Sequence, residues 1–511
     1  GASLMQLSDS GHMRDADNAA IHIGGIPSTL LMRNAAGRLA RAAEEMMGDN
    51  RSAFIFCGAG NNGGDGVAAA LHLLPRGVKT RVLFVGDRRK LSQDTAEMER
   101  RLIALGGQME DLDPDEPGLG KDLARAGVII DAMFGIGLNA PLRGAALSAA
   151  RLINAAGAPV LAADIPSGVE ADTGRVPGEA VAADRTVTFS MAKPGHFVEP
   201  GCTFCGVLEI AGIGVPPEFL EKAGIGVHAV TGAELSLPRR RRISHKGNYG
   251  RLLIVGGSVG YTGAPTLAAR AAVRGGAGLV FVAVPSDIYA ITAMKNDEAM
   301  PFPLDCDAEG RLSIGAGGEI SARLAACDTA VIGPGLGRSA DIAGLVPNAV
   351  SACEKPLVID ADGLWGLSHD MEALRRAGET VILTPHEGEF LRMGGALTGD
   401  RLSDARSFAK EHGCVLVLKG NRTVCAFPDG EAFINTTGNP GMAKGGSGDV
   451  LAGLIGAMLC QLPMRRAVIT AVWLHGRAGD LCAEKYGEYA MTASDVIGML
   501  PEAMREISGK E

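Results

Sequence analysis

The chain has 511 residues, of which 46% are hydrophobic and 21% charged. That length exceeds one ordinary domain and supplies a sizeable core, so a disordered chain is excluded and two or three domains are expected. A net charge of −9, a pI near 5.7 and only 4% aromatics argue against nucleic acid as the main partner and against base-stacking platforms.

Glycine stands at 72 of 511, about 14%, roughly twice ordinary usage. There is no Gly-X-Y period, so collagen is excluded. The surplus falls in short clusters after apolar runs, as in phosphate-binding turns. Ten Cys are scattered along the chain, and only Cys202 and Cys205 form a close pair. One CxxC without a second is weak evidence for zinc. The thiols read as reduced interior residues of a cytoplasmic protein. The start, GASLMQLSDSGHMRDAD, lacks a basic region followed by an apolar run, so no secretory signal is expected.

In chain order, the first long helix is expected at about 28–47. Ser28 can cap it, and Leu31, Ala35, Leu39, Ala42 and Met46 form one apolar stripe. That stripe can be buried inside or at a subunit interface, and a homo-oligomer is expected. Strand-like runs follow at 53–58, 81–86, 127–135 and 158–166, then at 251–257, 278–285, 329–335, 356–363, 380–389 and 415–420. Helical Ala/Leu/Arg/Glu stretches lie between them. Near-continuous apolar strands alternating with helices predict mostly parallel sheets covered on both faces. Ligands in such sheets sit beyond the carboxyl ends of the strands. The apolar run VLAGLIGAMLC at 450–460 is too short to span a bilayer and reads as a buried helix, so no membrane partner is expected. A break falls at 217–239, followed by four arginines at 239–242 that read as a solvated face. Two α/β domains are therefore expected, at 1–216 and 240–511.

In the first half, NNGGDG (61–66) lies between a strand and a helical run. Glycines there let backbone approach a ligand, and a helix N-terminus offers free N–H groups. DAMFGIGLNAPLRG (131–144) and DIPSG (164–168) are two more strand-end turns. Three such loops can converge on one site. Asn62, Asp131 and Ser167 would supply hard oxygen ligands suited to an alkali or alkaline-earth cation. Asp164 is the candidate general acid/base. Each Asp taken alone reads equally as a helix cap or a turn residue.

These segments, with MRDAD (13–17), LMRNAAG (31–37), DTG (172–174), ADRTVTF (183–189) and KPG (193–195), resemble the NAD(P)H-hydrate epimerase domain, the YjeF N-terminal family. The resemblance implies a Rossmann-like sandwich that interconverts the R and S hydrates of NADH and NADPH (NADHX and NADPHX). It implies a potassium ion on Asn62, Asp131 and Ser167. It also implies substrate contacts from Asn61, Asn62, Gly63, Gly64 and Asp65, from the loop Gly135, Ile136, Gly137, Leu138, Asn139, Ala140 and Pro141, and from Asp164. Two departures are Arg33, where the family often has Glu or Leu, and Ile136, where it commonly has Thr.

In the second half, GNPGMAKGGSGDVLAG (438–453) opens the apolar helix. Its glycines and helix N-terminus form an anion hole for a transferring phosphoryl group. Asp449 sits at the mouth, placed to accept a proton from an attacking hydroxyl. LKGNRT (418–423) ends another strand, where Lys419 and Thr423 can hold nucleotide phosphates. TPHEGE (384–389) brings His386 and Glu389 to one face, with Glu389 acting through magnesium or ordered water. VIDADG places Asp360 and Asp362 nearby. No GxxxxGK[ST] is present, so a P-loop is excluded.

With HKG, GGSVGYTGA, GPGLG and NTTGNPGM, this half resembles the ADP/ATP-dependent NAD(P)HX dehydratases, the YjeF C-terminal family of the ribokinase superfamily. The resemblance implies that Ala264, Gly337, His386 and Asp449 contact the hydrated nucleotide. Lys419, Gly420, Asn421, Arg422 and Thr423 would bind ADP or ATP with magnesium. So would Asn439, Pro440, Gly441, Met442, Ala443, Lys444, Gly445, Gly446, Ser447 and Gly448. Lys444 departs from the usual Thr, and its charge is expected to strengthen nucleotide binding or shift the ADP/ATP preference without loss of activity. The fused order, epimerase then dehydratase, implies a bifunctional repair enzyme. A ribokinase-superfamily small-molecule kinase with a non-catalytic N-terminal ligand-binding domain is the alternative, and a protein- or RNA-binding scaffold is another.

Overall fold

Runs of Val, Ile, Ala and Phe form the strands, and helices bury most of them on both faces. The computed structural model describes residues 4–509. The first strands are β1 (Met5–Gln6), β2 (Ser52–Cys57), β3 (Lys79–Phe84), β4 (Met109–Asp111), β5 (Val128–Ala132), β6 (Val160–Ala163), β7 (Arg185–Phe189) and β8 (Val207–Ala211). Strands β2 to β8 make one parallel sheet in the order β4-β3-β2-β5-β6-β7-β8. The winding reverses between β2 and β5, where a doubly wound sheet opens a crevice.

The second sheet holds β9 (Val227–Val230), β10 (Arg251–Val255), β11 (Leu279–Pro285), β12 (Met300–Leu304), β13 (Thr329–Ile332), β14 (Leu357–Ile359), β15 (Val381–Leu383), β16 (Val415–Leu418), β17 (Val424–Ala426) and β18 (Ala432–Asn435). Its order is β9-β18-β17-β16-β15-β14-β13-β10-β11-β12, with β1 at the β9 edge. Strands β10 to β16 run parallel, and β16-β17-β18 is an antiparallel meander. The winding reverses between β10 and β13. The chain divides into one compact unit over Gln6–Val227 and a second from His228 onward that takes in Met5.

The expected helix is Ser28–Met47, and Leu31, Ala35, Leu39 and Ala42 are buried within their own unit, with Met46 half-buried at its edge. Ser28 does not cap it. Pro27 holds the cap position at φ −60°, pre-set for helix entry, and the Ser28 hydroxyl donates to Asp94 at 3.1 Å. The 450–460 run forms the helix Ser447–Leu459 from Val450 on, buried to Leu459, with Cys460 as its C-cap. It meets the helix Gly263–Arg274 so closely that a Cβ on Gly453 would lie 2.0 Å from the Ala268 carbonyl oxygen.

The stretch 217–239 is not an unstructured linker. Helix Pro217–Glu221 packs Phe219 and Leu220 on Met13 and Ala16, β9 joins the second sheet, and Leu237 N–H donates to Ile507 at 2.9 Å. In the arginine run, Arg240 is fixed over the Tyr249 ring and on the Gly276 carbonyl, while its neighbours are exposed. Among the described residues no disulfide joins the cysteines, and eight of the ten are buried. Among the described residues no helix is long and apolar enough to cross a membrane.

Candidate active sites

In the first unit the site lies at the carboxyl ends of β2, β5 and β6, on both sides of the switch point. NNGGDG is not a loop. It forms the first turns of the helix Asn61–Leu73, and its glycines are there for space. A Cβ on Gly63 would lie 1.8 Å from the Gly58 carbonyl oxygen, and one on Gly66 would lie 2.7 Å from Ala132 Cβ. Asn61, Asn62 and Asp65 line a cavity of about 980 Å³ together with Asp17, Asp164, Lys193 and the loop Gly135–Asn139. Ala140 and Pro141 are not in that wall, and Pro141 abuts Gly178 instead. Ile136 packs its side chain between the Ile165–Val169 and Met13–Ala223 clusters, so the departure there is absorbed as core.

Asp131 and Ser167 are fully buried and bonded to each other. Ser167 donates its hydroxyl to Asp131 Oδ1 and its N–H to Oδ2, both at 2.7 Å. Phe134 N–H donates to Ser167 Oγ at 3.0 Å. The next residue, Gly135, abuts Asn62 and Asp164, whose Cβ and Oδ2 lie 3.4 and 3.7 Å from where its own Cβ would stand. Asn62 Oδ1 and Nδ2 are buried with no hydrogen-bond partner. An orphaned amide oxygen, a buried carboxylate and a hydroxyl are a donor set that fits an alkali cation. Burial pushes the Asp131 carboxyl up to about 6 against the hydrogen bonds from Ser167 and Met133.

Asp164 sits at φ 68°, a conformation non-glycine residues rarely adopt. His196 Nδ1 accepts from Lys193 N–H, so its Nε2–H donates to the Asp164 carbonyl at 2.7 Å. Burial, then Lys193, push His196 down to about 4, so the ring is neutral. Asp164 Oδ1 accepts from Thr188 Oγ1 at 2.7 Å and Lys193 Nζ at 3.2 Å. Its Oδ2 faces Gly135 on the cavity side. Burial, with Asp164 nearby, raises Asp17 to about 6 and Asp65 well above the carboxylate range. Sequence reasoning missed Asp17, Thr188, Lys193 and His196 as site residues. MRDAD, ADRTVTF and KPG contain three of them, but nothing in those motifs marks a lysine for full burial.

In the second unit the ends of β10, β13, β14, β15 and β16 converge. Ala264 lies in the first turn of the 263–274 helix, 3.1 Å from where a Gly335 Cβ would stand. Gly337 N–H donates to Asp362 Oδ2 at 2.9 Å. Asp360, buried, accepts from Thr384 Oγ1 at 2.9 Å and from Lys419 Nζ at 3.3 Å. His386 is exposed and caps the helix Glu387–Arg392 in a reciprocal pair with Glu389. Buried Arg401 donates to the carbonyls of Leu418 and Lys419 and so fixes the end of β16. Gly420, Asn421, Arg422 and Thr423 form a tight turn, closed by Thr423 Oγ1 donating to the Gly420 carbonyl, with Arg422 at φ 60°.

Gly446, at φ 93°, caps the 447–459 helix, so Ser447, Gly448 and Asp449 are its first turn. A Cβ on Gly448 would lie 3.0 Å from Lys419 Nζ and 4.0 Å from Asp360 Oδ2. Asp449 therefore opens onto a Lys419–Asp360 pair. Burial, then the neighbouring Asp360, push its carboxyl up to about 7, although Lys419 pulls it down. Burial disfavours the Lys419 charge, but Asp360, Glu389 and Asp449 outweigh it and hold the ammonium above its ordinary range. His475, buried and pushed to about 4 by burial and Lys419, meets Ser447 Oγ at 3.4 Å. Sequence reasoning missed it as well. Lys444 does not present its ammonium to the Gly-rich turn. It donates to the Tyr489 and Met491 carbonyls, the latter at 2.6 Å.

Two parallel α/β sheets, each with an acid beside a lysine and a Gly-rich helix start at its carboxyl edge, define a two-domain nucleotide-handling enzyme. The family profile described as NAD(P)H-hydrate dehydratase matches residues 252–502, and that of the YjeF-related protein N-terminus matches 28–195. The bifunctional NAD(P)H-hydrate repair enzyme of Moorella thermoacetica is 41% identical over 98% of this chain and 97% of its own. That of Thermofilum pendens is 36% identical over the same shares. The chain belongs to the family of bifunctional NAD(P)H-hydrate repair enzymes. Among solved structures, the ADP/ATP-dependent NAD(P)H-hydrate dehydratase of Bacillus subtilis, co-crystallised with ATP and Mg2+, is 32% identical. It covers 53% of this chain and 95% of its own, with a TM-score of 0.46.

Proposed function

We propose that the 6–227 unit epimerises R- and S-NAD(P)HX and that the unit from His228 onward dehydrates the S form to NAD(P)H at the expense of ADP or ATP. Asp449 carries this reading. It is an acid at a helix N-terminus, beside a lysine, in a Gly-rich turn, its carboxyl pushed up to about 7 by burial. Asp449 takes the proton of the C6 hydroxyl as that oxygen attacks the terminal phosphoryl group and displaces AMP from ADP, or ADP from ATP. The free N–H groups of the 447–459 helix and Lys419 hold the phosphoryl oxygens. The C6–O bond then breaks with phosphate as leaving group and the ring nitrogen as electron source. Loss of the C5 proton to water restores the nicotinamide double bond. Phosphorylation turns a poor leaving group into a good one. Magnesium, arriving with the nucleotide, would neutralise phosphate charge, with Asp360 and Glu389 the carboxylates that face Lys419.

In the first unit Asp164 Oδ2 moves the proton at the C6 hydroxyl, while Lys193 and Thr188 hold Oδ1 in place. Asn61, Asn62, Gly63, Gly64 and Asp65 offer the start of their helix to the pyrophosphate, and Gly135–Asn139 cover the ring. Asn62, Asp131 and Ser167 would hold potassium, which supplies positive charge beside the pyrophosphate. Ten cysteines, most of them buried and none in a disulfide among the described residues, support a reducing, cytoplasmic setting. The test is recovery of NADH from mixed R/S-NADHX with ADP, magnesium and potassium, followed by NADH absorbance. Wild type recovers all of it and Asp449→Asn none. Arrest at the S fraction would remove the epimerase half, and no recovery with either nucleotide would remove the whole reading.

A further inference from the structure

The helix Met464–Ala490 turns one face toward the loop 437–447, which overlaps the 439–448 segment expected to bind ADP or ATP. Thr437 Oγ1 donates to the Trp473 carbonyl at 2.9 Å. One turn on, Gly476 clears Thr437, since a Cβ there would lie 2.2 Å from its Oγ1. A further turn on is Asp480. Its Oδ2 accepts from Gly438 N–H at 3.1 Å and its Oδ1 from Asn439 Nδ2 at 3.0 Å. Asn439 in turn accepts from Gly441 N–H at 2.9 Å. Met442 lies over Gly479, and Gly441 lies against Glu488 and Met491. Beyond the helix, Lys444 closes the row on the carbonyls of Tyr489 and Met491.

All of these contacts run within the protein. They fix the path of the loop that would meet the phosphates. Asp480 orients two consecutive loop residues through both carboxylate oxygens, and a carboxylate accepting from amides makes stronger bonds than a neutral acceptor. The Lys444 ammonium meets the carbonyls of Tyr489 and Met491, past the break in the helix at Gly487. We propose that Asp480 is the positioning residue of the nucleotide loop and that Lys444 acts as its second tether, not as a phosphate-reading charge. This rests on the assignment of 439–448 to ADP or ATP.

The geometry makes the two roles separable. A phosphate-reading lysine favours ATP over ADP, because ATP carries more charge. A tether serves both alike. The experiment is calorimetric titration of the full chain with ADP and with ATP, each with magnesium, alongside KM and kcat for NADHX dehydration. Asp480→Asn is expected to raise both nucleotide dissociation constants by about ten-fold, as for one lost charge-assisted bond, with kcat at saturating nucleotide and KM for NADHX held. Asp480→Glu, which keeps both carboxylate acceptors, is expected to stay within about three-fold of wild type for both nucleotides. Lys444→Met is expected to weaken ADP and ATP by the same factor, about three-fold.

Wild-type nucleotide affinity in Asp480→Asn would overturn the inference and leave the dehydratase reading intact. So would an Asp480→Glu variant as weak as Asp480→Asn, which marks general damage, or a Lys444→Met effect larger on ATP than on ADP. Lys444 is exposed, so that arm decides the matter even where Asp480→Asn fails to fold. A wild-type chain that binds neither nucleotide would overturn both.

Discussion

Lys193 Nζ lies 3.2 Å from Asp164 Oδ1, with the lysine side chain 1% exposed and the aspartate 15%. Thr188 Oγ1 meets the same carboxylate oxygen and the same ammonium, at 2.7 and 2.8 Å. The carboxylate is thus held by one edge and offers the other to the cavity. A buried lysine keeps its charge only beside a partner, so neither residue keeps its place without the other.

Lys193→Met is therefore expected to lower epimerisation by about 100-fold or more, the usual loss when a positioned acid/base group is disabled. Dehydration of pure S-NADHX stays at the wild-type rate, because it runs on the other unit. The measurement is the fraction of mixed hydrate recovered, with a melting curve to register the unpaired carboxylate. Unchanged epimerisation would remove Lys193 from the site.

Asn62 carries a second expectation. Its buried amide has no hydrogen-bond partner, and Asp131 is desolvated by burial. A cation there satisfies the first and stabilises the second. Epimerisation is expected to require potassium over a bulky organic cation at equal ionic strength. Potassium is also expected to raise the melting temperature of wild type but not of Asn62→Leu. A variant that keeps both responses would place the ion elsewhere.

The strands, the 28–47 stripe and the buried 450–460 helix were legible because apolar periodicity and run length follow directly from burial. The strand-end acids were legible because parallel sheets present ligands there. Lys193, His196 and His475 were not, since a buried base reveals itself only through partners far away in sequence. Lys444 shows the opposite failure. Its position beside GGSGD predicts a phosphate contact, yet the ammonium turns to carbonyls at 489 and 491, almost fifty residues on. NNGGDG reads as a loop by composition. Its glycines answer to close packing, which composition does not reveal.

Asp449 links activity to stability through pH. Its carboxyl titrates near 7 in the folded chain and at 3.8 as a free side chain. As a base it must be ionised, so dehydratase kcat/KM is expected to rise with pH and level off above about 7. Between about pH 4 and 7 the folded state binds a proton there that the unfolded state has lost, so this group's contribution to stability falls as pH rises through that window. Asp449→Asn removes the cost. It is expected to abolish dehydration, yet to be more stable than wild type above about pH 8, on the order of 1 kcal/mol. Melting both proteins across the range decides it, and equal stability at high pH would refute the shift.

Two glycines of one helix separate function from folding. At Gly448 a Cβ would meet Lys419 Nζ at 3.0 Å, the free end of a flexible chain. At Gly453 it would meet the Ala268 carbonyl oxygen at 2.0 Å, in backbone that cannot yield. Gly448→Ala is thus expected to fold with stability within about 1 kcal/mol of wild type. Its dehydratase kcat/KM is expected to fall by about 100-fold, because the ammonium is pushed off the phosphoryl position. Gly453→Ala forces the 447–459 and 263–274 helices apart, and is expected to destabilise the second unit by about 3 kcal/mol or more. Epimerisation should survive Gly448→Ala unchanged, since none of its residues lies on that helix. Melting curves and the two half-reactions, measured on both variants, test the pair. A stable, active Gly453→Ala would mean that the helices do not pack at that distance.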